Sequence, residues 1–154
     1  MGIIGLISDT HGLVRPQVFE ALAGVELILH AGDVGAGVLE ELRVIAPTRA
    51  VYGNTDPIDD PELAESIEME HGGVRIHVSH GHEVGAPTPE RLLAKYSADV
   101  IVYGHTHKQL VTHADGRWVV NPGAAGQKRF KLTPSVARLT IRNGSVQIQL
   151  VELE

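Results

Sequence analysis

Residues 3–11 read Ile3-Ile4-Gly5-Leu6-Ile7-Ser8-Asp9-Thr10-His11. The apolar run from Ile3 to Ile7 is too short for a self-sufficient helix and fits a strand buried on both faces, the kind a parallel sheet uses. It stops in a polar turn that holds a carboxylate and an imidazole two residues apart. The same pattern returns along the chain. Val25 to His30 ends in Ala31-Gly32-Asp33-Val34-Gly35, and Arg49 to Tyr52 ends in Gly53-Asn54-Thr55-Asp56. Val74 to Val78 ends in Ser79-His80-Gly81-His82, and Val100 to Tyr103 ends in Gly104-His105-Thr106-His107. Helical segments separate the first three runs: Pro16 to Ala23, with Pro16 suited to a first turn, and a stretch where Val38, Leu39, Leu42 and Ile45 recur until Pro47. Strand-helix alternation implies a parallel sheet. In open α/β sheets ligands bind beyond the carboxyl ends of the strands, so the five turns are expected on one rim.

The second half of the chain is richer in hairpins. Glu65 to Met69 and Val74 to Val78 flank His71-Gly72-Gly73, and Pro89 to Tyr96 reads as a helix capped by Thr88. Leu110 to His113 and Trp118 to Val120 flank Ala114-Asp115-Gly116, and Asn121-Pro122-Gly123 follows. A two-residue turn on Asn143-Gly144 pairs Ile141 with Val146, Leu139 with Ile148 and Ala137 with Leu150 on one face. Thr140 with Gln147 and Arg138 with Gln149 then share the other face, which describes a half-buried antiparallel edge.

The chain has 154 residues, 43% of them hydrophobic and 21% charged. It is expected to form one domain over residues 1–154 with a core that needs no staples. Zero cysteines exclude disulfides, thiolate metal sites and a cysteine nucleophile. The net charge of −6 and 4% aromatic content argue against stable duplex nucleic-acid binding and against a strand-binding groove. No apolar run approaches a membrane span, and no basic segment precedes the first strand, so a cytoplasmic setting is expected. Nine histidines are the unusual feature of the composition.

Each turn taken singly is weak evidence, because Asp-x-His and Gly-Asp fragments mostly serve as caps and turn residues. A His-x-His pair after a buried strand is stronger. The fivefold recurrence singles out Asp9, His11, Asp33, Asn54, His80, His105 and His107 as metal-competent, with His82 beside them.

The ordered set Asp9-x-His11, Gly32-Asp33, Gly53-Asn54-x-Asp56, His80-Gly81-His82, Gly104-His105-x-His107 and Asn121-Pro122-Gly123 resembles the calcineurin-like metallophosphoesterases. The small size and the His105-x-His107 pair are most similar to the compact bacterial and archaeal phosphodiesterase branch, which includes the retromer-subunit homologues. The resemblance spans residues 9–123. It implies an α/β fold, a four-layer α/β/β/α sandwich of two mixed β-sheets flanked by helices. It also implies two divalent transition-metal ions, one on Asp9, His11, Asp33 and His107, the other on Asp33, Asn54, His80 and His105. Asp33 bridges ions about 3.5–4 Å apart, and with a hydroxide between them the centre carries about +1, complementary to a phosphodiester. Manganese is the expected metal, and nickel, iron, zinc or cobalt suit the same donors. The implied reaction is hydrolysis of small phosphodiesters by a hydroxide held on the metals. Asp33 serves the chemistry as the bridge, and Asn54 also faces the substrate.

The sequence departs from the family at Thr55, where many members carry the histidine taken as general acid. His82 is the replacement candidate, as acid or phosphate contact; the alternative is a hydrogen bond that orients a metal ligand. Asp56 is expected to brace the Asn54 loop. His30 is expected behind the site, and His71, His77 and His113 on the surface. Among basic residues, Arg15 and Arg129 are candidates for the substrate phosphate, whereas a run such as Lys128-Arg129-Phe130-Lys131 is usually a solvated face. Ala124 stands where the family commonly has Ser. Three other readings stay open: a non-catalytic scaffold like the retromer subunit, a phosphomonoesterase, and a regulatory module sensing metal or nucleotide. The scaffold is expected to lose histidines of the first motif, and His11 is present here. The expected partner is a small phosphoester substrate, with no membrane, and an exposed edge strand leaves a homo-oligomer open.

Overall fold

The computed structural model describes residues 2–128 and 131–153. Along the first half come β1 (Gly2–Ile7), α1 (Gln17–Ala21), β2 (Leu27–His30), α2 (Val38–Ile45), β3 (Thr48–Val51) and β4 (Leu63–Ala64). Then follow β5 (Ile67–His71), β6 (Val74–Val78), α3 (Pro89–Lys95), β7 (Val100–Val102), β8 (Leu110–Ala114), β9 (Arg117–Asn121), β10 (Ser135–Arg142) and β11 (Ser145–Glu152).

The strands form two mixed sheets, ordered β11-β10-β1-β2-β3-β4 and β5-β6-β7-β9-β8. In the first, β1 to β4 run parallel and the β10-β11 hairpin adds antiparallel to β1. In the second, β6, β7 and β9 run parallel between antiparallel edges β5 and β8. Period-two alternation divides each strand between layers. Ile4, Leu6 and Leu29 point inward with Val78, Val100 and Val102 to fill the space between the sheets. Ile7 and Ile28 point outward under Val18 and Leu22 at α1 and Leu39 and Leu42 of α2. Ile101 and Val119 point to the opposite outside, under Leu92 of α3. The result is the expected α/β/β/α sandwich. Among the described residues no helix is long and apolar enough to cross a membrane.

The last hairpin has the register read from its sequence, Ile141 opposite Val146, Leu139 opposite Ile148 and Ala137 opposite Leu150. Its turn residues Asn143 (φ 52°) and Gly144 (φ 77°) occupy the left-handed region, as a two-residue hairpin demands. Several ends differ from expectation by one or two residues, and three departures have a clear physical reason. The first helix is only five residues long, closed by Leu22 and followed by Gly24 at φ 81°. β5 starts at Ile67 and runs through His71, because Gly72-Gly73 alone makes the turn and draws His71 into the ladder opposite Val74. The two-residue β4 has no alternating pattern to announce it and exists only by pairing with β3. β1, β2 and β3 of one sheet and β6 and β7 of the other all deliver their following turns to the same rim.

Candidate metal centre

Two buried carboxylates organise the rim. Asp9 Oδ2 accepts hydrogen bonds from Ser8 Oγ (2.7 Å) and the His105 backbone N–H (3.1 Å). Its other oxygen, Oδ1, is buried without a hydrogen-bond partner, 3.5 Å from His107 Nε2 and 3.9 Å from His80 Nε2. Asp33 divides its oxygens in the same way. Oδ1 accepts from Thr55 N (3.0 Å) and Thr55 Oγ1 (2.8 Å), leaving Oδ2 at 3.3 Å from His80 Nε2 and 3.6 Å from His11 Nε2. Burial pushes the Asp33 carboxyl up, but the His80 imidazole and the Thr55 donors outweigh it and hold the group well below the usual carboxylate range, because donors that favour the charged form lower a pKa.

His80 is fully buried. Its Nδ1 lies 2.8 Å from the Ala31 carbonyl, which sets that nitrogen as the donor and turns Nε2 toward the two carboxylates and Asn54 Oδ1 at 3.1 Å. A carbonyl behind a histidine fixes the tautomer of a metal ligand in the same manner. Burial lowers its pKa, yet Asp33 and Asp9 more than compensate and leave it raised. His105 moves the other way, lowered by burial and then by His80.

The backbone around these side chains is strained. Asp9, His11, Asp33, His105 and His107 all have φ between 48° and 73°; among the described residues the other non-glycine residues at positive φ are Asp115 and Asn143, both in hairpin turns. Non-glycine residues in this region cost about 1–3 kcal/mol each and concentrate at functional sites. Close approach adds a second constraint. A Cβ on Gly104 would stand 2.0 Å from Ser8 Oγ and 2.7 Å from Asp9 Oδ2, and one on Gly53 would stand 2.1 Å from Asp33 Oδ1.

Two triads of donor atoms result, each within 4.8 Å: Asp9 with His11 and His107, and Asp9 with Asp33 and His80. The structure thus brings together Asp9, His11, Asp33, Asn54, His80 and His107. His105 stands at the edge of this group, its ring 5.2 Å from that of His80 and 6.3 Å from that of His82. A buried carboxylate oxygen with no donor costs about 1–3 kcal/mol, and Asp9 Oδ1 points among imidazole nitrogens. That orphaned atom, with the mixed imidazole, carboxylate and amide donors around it, fits divalent transition metals.

His82 opens a short 3₁₀ turn, 5.3 Å from the His80 ring and 6.5 Å from Tyr52. Its Nδ1 is buried and unpartnered, and among the described residues its ring makes no hydrogen bond to a ligand residue. Asp56 accepts from the N–H groups of Val34, Gly35 and Gly53, so it staples the Asp33 turn to the Asn54 turn. Arg15 donates from Nε to the Gly126 carbonyl (2.7 Å) and so anchors the loop after Asn121-Pro122-Gly123. Arg129 lies outside the described residues.

His30 is buried behind the site, accepting from Gly32 N at Nδ1 and facing Thr10 Oγ1 (2.9 Å) with Nε2; burial lowers its pKa to about 4. The expectation of a surface location is wrong for His77, which is 1% exposed. β6 alternates as a strand with one open face would, but α3 and Tyr96 cover that face, and Tyr96 stacks on His77 with centroids 3.7 Å apart. The supporting roles of Ser8, the Ala31 carbonyl and Asn121, whose Nδ2 donates to Gly104 O and Thr106 Oγ1, were not read from the sequence. The serine directly before Asp9 was the available signal for the first of these.

The chain is similar to known proteins. Residues 3–144 match the calcineurin-like phosphoesterase superfamily domain. A "Probable metallophosphoesterase" of Methanothermobacter thermautotrophicus is 32% identical, the match covering 97% of this chain and 91% of that protein. "Phosphodiesterase MJ0936" of Methanocaldococcus jannaschii is 30% identical over 78% of this chain and 82% of its own length. The solved structure of Entamoeba histolytica Vps29 complexed with zinc superposes with a TM-score of 0.81 at 24% identity, covering 99% of both chains, which speaks to the fold. With two sheets converging on paired carboxylates and imidazoles, and relatives alike over nearly the whole length, the chain belongs to the calcineurin-like phosphoesterase superfamily.

Proposed function

We propose that this chain, acting as one domain over residues 1–154, is a dinuclear-metal-dependent phosphodiesterase of small phosphodiesters. The observation that carries the reading is the buried, unpartnered Oδ1 of Asp9, a residue that belongs to both donor triads. Asp9, His11 and His107 would hold one ion and Asn54, His80 and His105 the other. Asp33 would bridge them, since its Oδ2 faces His11 and His80 together. Such ions supply Lewis acidity to the phosphoryl oxygens and a nucleophile at neutral pH.

The remaining work falls to the chain. Ser8, the His105 N–H and Thr55 hold the carboxylates in place, so the site needs little reorganisation when substrate arrives. Asn54 keeps the donor set one negative charge poorer than an aspartate would, which favours an anionic substrate. His82, whose Nδ1 is buried, would donate a proton from Nε2 to the departing oxygen. Arg15 positions the loop of Gly126 beside Thr10.

Metal analysis and turnover test the assignment. Manganese- or nickel-loaded protein is expected to bind two ions per chain and to hydrolyse an aryl phosphodiester faster than the matching monoester. Two bound ions with no turnover of either ester would leave the scaffold reading; a faster monoester would make the chain a phosphomonoesterase.

A further inference from the structure

A second polar cluster lies behind the His80-Gly81-His82 turn, on the side of the second sheet covered by α3. Glu68 of β5 and His77 of β6 are directly opposed, and Glu68 Oε1 pairs with His77 Nδ1. His77 Nε2 is 2.9 Å from Ser79 Oγ. The order acid, imidazole, hydroxyl is that of a hydrolytic triad, but Ser79 is 1% exposed, which denies it a substrate. Tyr96 stacks on His77 with centroids 3.7 Å apart and links this pair to Glu83, whose Oε2 accepts from Tyr96 OH (2.9 Å) and whose Oε1 accepts from Gly81 N (2.9 Å). That last N–H belongs to the peptide bond joining His80 to Gly81. The carbonyl of the same peptide, His80 O, accepts from Gly104 N (2.9 Å), so Glu83 holds the N–H side of a peptide whose other side is tied to the turn after β7, while Gly81 itself sits at φ 105°.

We propose that Glu83 is a positioning residue for the phosphodiesterase. Held by Tyr96 and, behind it, by the paired His77 and Ser79, it fixes the N–H side of the His80–Gly81 peptide and so sets the angle at which His82 meets the substrate. The inference rests on the phosphoesterase reading for its catalytic consequence, but the placement of the two rings exists with or without turnover. None of these four side chains belongs to the metal donor set.

The test compares Glu83→Ala, Glu83→Gln and Tyr96→Phe in the full chain. Glutamine keeps an oxygen for Gly81 N and an amide for Tyr96, whereas alanine keeps neither. Glu83→Ala is expected to bind manganese at the wild-type stoichiometry, hold KM for an aryl diester within about 2-fold and lose about 100-fold in kcat, the scale of a misplacement of about 1 Å. Glu83→Gln is expected to restore most of that loss, and Tyr96→Phe to fall between. The imidazole ¹⁵N resonances of His80 and His82 in metal-free protein provide a readout independent of activity. They are expected to shift in Glu83→Ala and to stay in Glu83→Gln. Unchanged resonances in Glu83→Ala, or equal kcat losses in alanine and glutamine variants, would overturn the proposal. A wild-type chain without turnover but with the expected resonance shifts would overturn the phosphodiesterase reading and leave the positioning role standing.

Discussion

Single atoms decide most of the chemistry here, and Asp9 Oδ1 is the clearest. In metal-free protein it is a buried acceptor with no donor, so Asp9→Asn is expected to strengthen the fold while abolishing metal binding. The amide oxygen can keep the Ser8 and His105 bonds, and the amide N–H₂ would face His80 Nε2. The expected outcome is a metal-free unfolding free energy higher by about 1–3 kcal/mol, read by calorimetry, with bound manganese lost by elemental analysis. A metal-free stability equal to or below wild type would show that Asp9 is not under this stress. His82 provides the second prediction at this scale. Its replacement by alanine is expected to slow alkyl diesters, whose leaving oxygens need a proton, at least about 10-fold more than activated aryl diesters. Equal losses on both substrates would remove the acid role.

At the level of elements, the candidate site is built from strand ends, and a glycine or a left-handed residue in each turn lets two turns touch. Gly104 follows β7 where Ser8 and Asp9 of the turn after β1 press against it. Gly104→Ala is therefore expected to displace the Asp9 carboxylate without disturbing the sandwich. Activity should fall by about 100-fold with the far-ultraviolet circular dichroism unchanged; full activity would mean the two turns can separate freely. Elements also differ in how legible they are in the sequence. The turns carrying Asp9, Asp33, Asn54, His80 and His107 are readable because their donors sit at strand ends, and the Asn143-Gly144 hairpin because a period of two and a left-handed turn are both local properties. β4 is not, since two residues hold no period, and neither is the burial of His77, since α3's cover over that face is not a property of β6.

The whole molecule places an imidazole where water cannot reach it, and this makes stability depend on pH. Burial keeps His30 neutral in the folded protein down to about pH 4, while the unfolded chain protonates it near 6.5. The unfolded state therefore binds the extra proton in this window. The contribution is complete above pH 6.5, declines as pH falls and reaches its floor below about 4. Its full size is about 3 kcal/mol, at about 1.36 kcal/mol per pKa unit. Comparing metal-free wild type with His30→Gln by thermal unfolding between neutral pH and the folded-state pKa isolates it: the gap between their pH slopes should open below 6.5. Parallel profiles would mean that His30 becomes protonated in the fold at no cost.

Short-range geometry accounts for everything that could be read from the order of residues: which runs are strands, which turns follow them, which residues in those turns can bind metal, and the register of the final hairpin. The remainder arose only when the chain packed. Packing divided the candidate ligand turns between two sheets, put Asp9 in both donor triads, set His105 at the edge and ran the brace from Glu68 to Gly81 behind His82. The reason is distance along the chain. The His105 N–H that holds Asp9 is 96 residues away from it. Such a contact depends on how two sheets pack over their shared apolar interior, which no local pattern encodes.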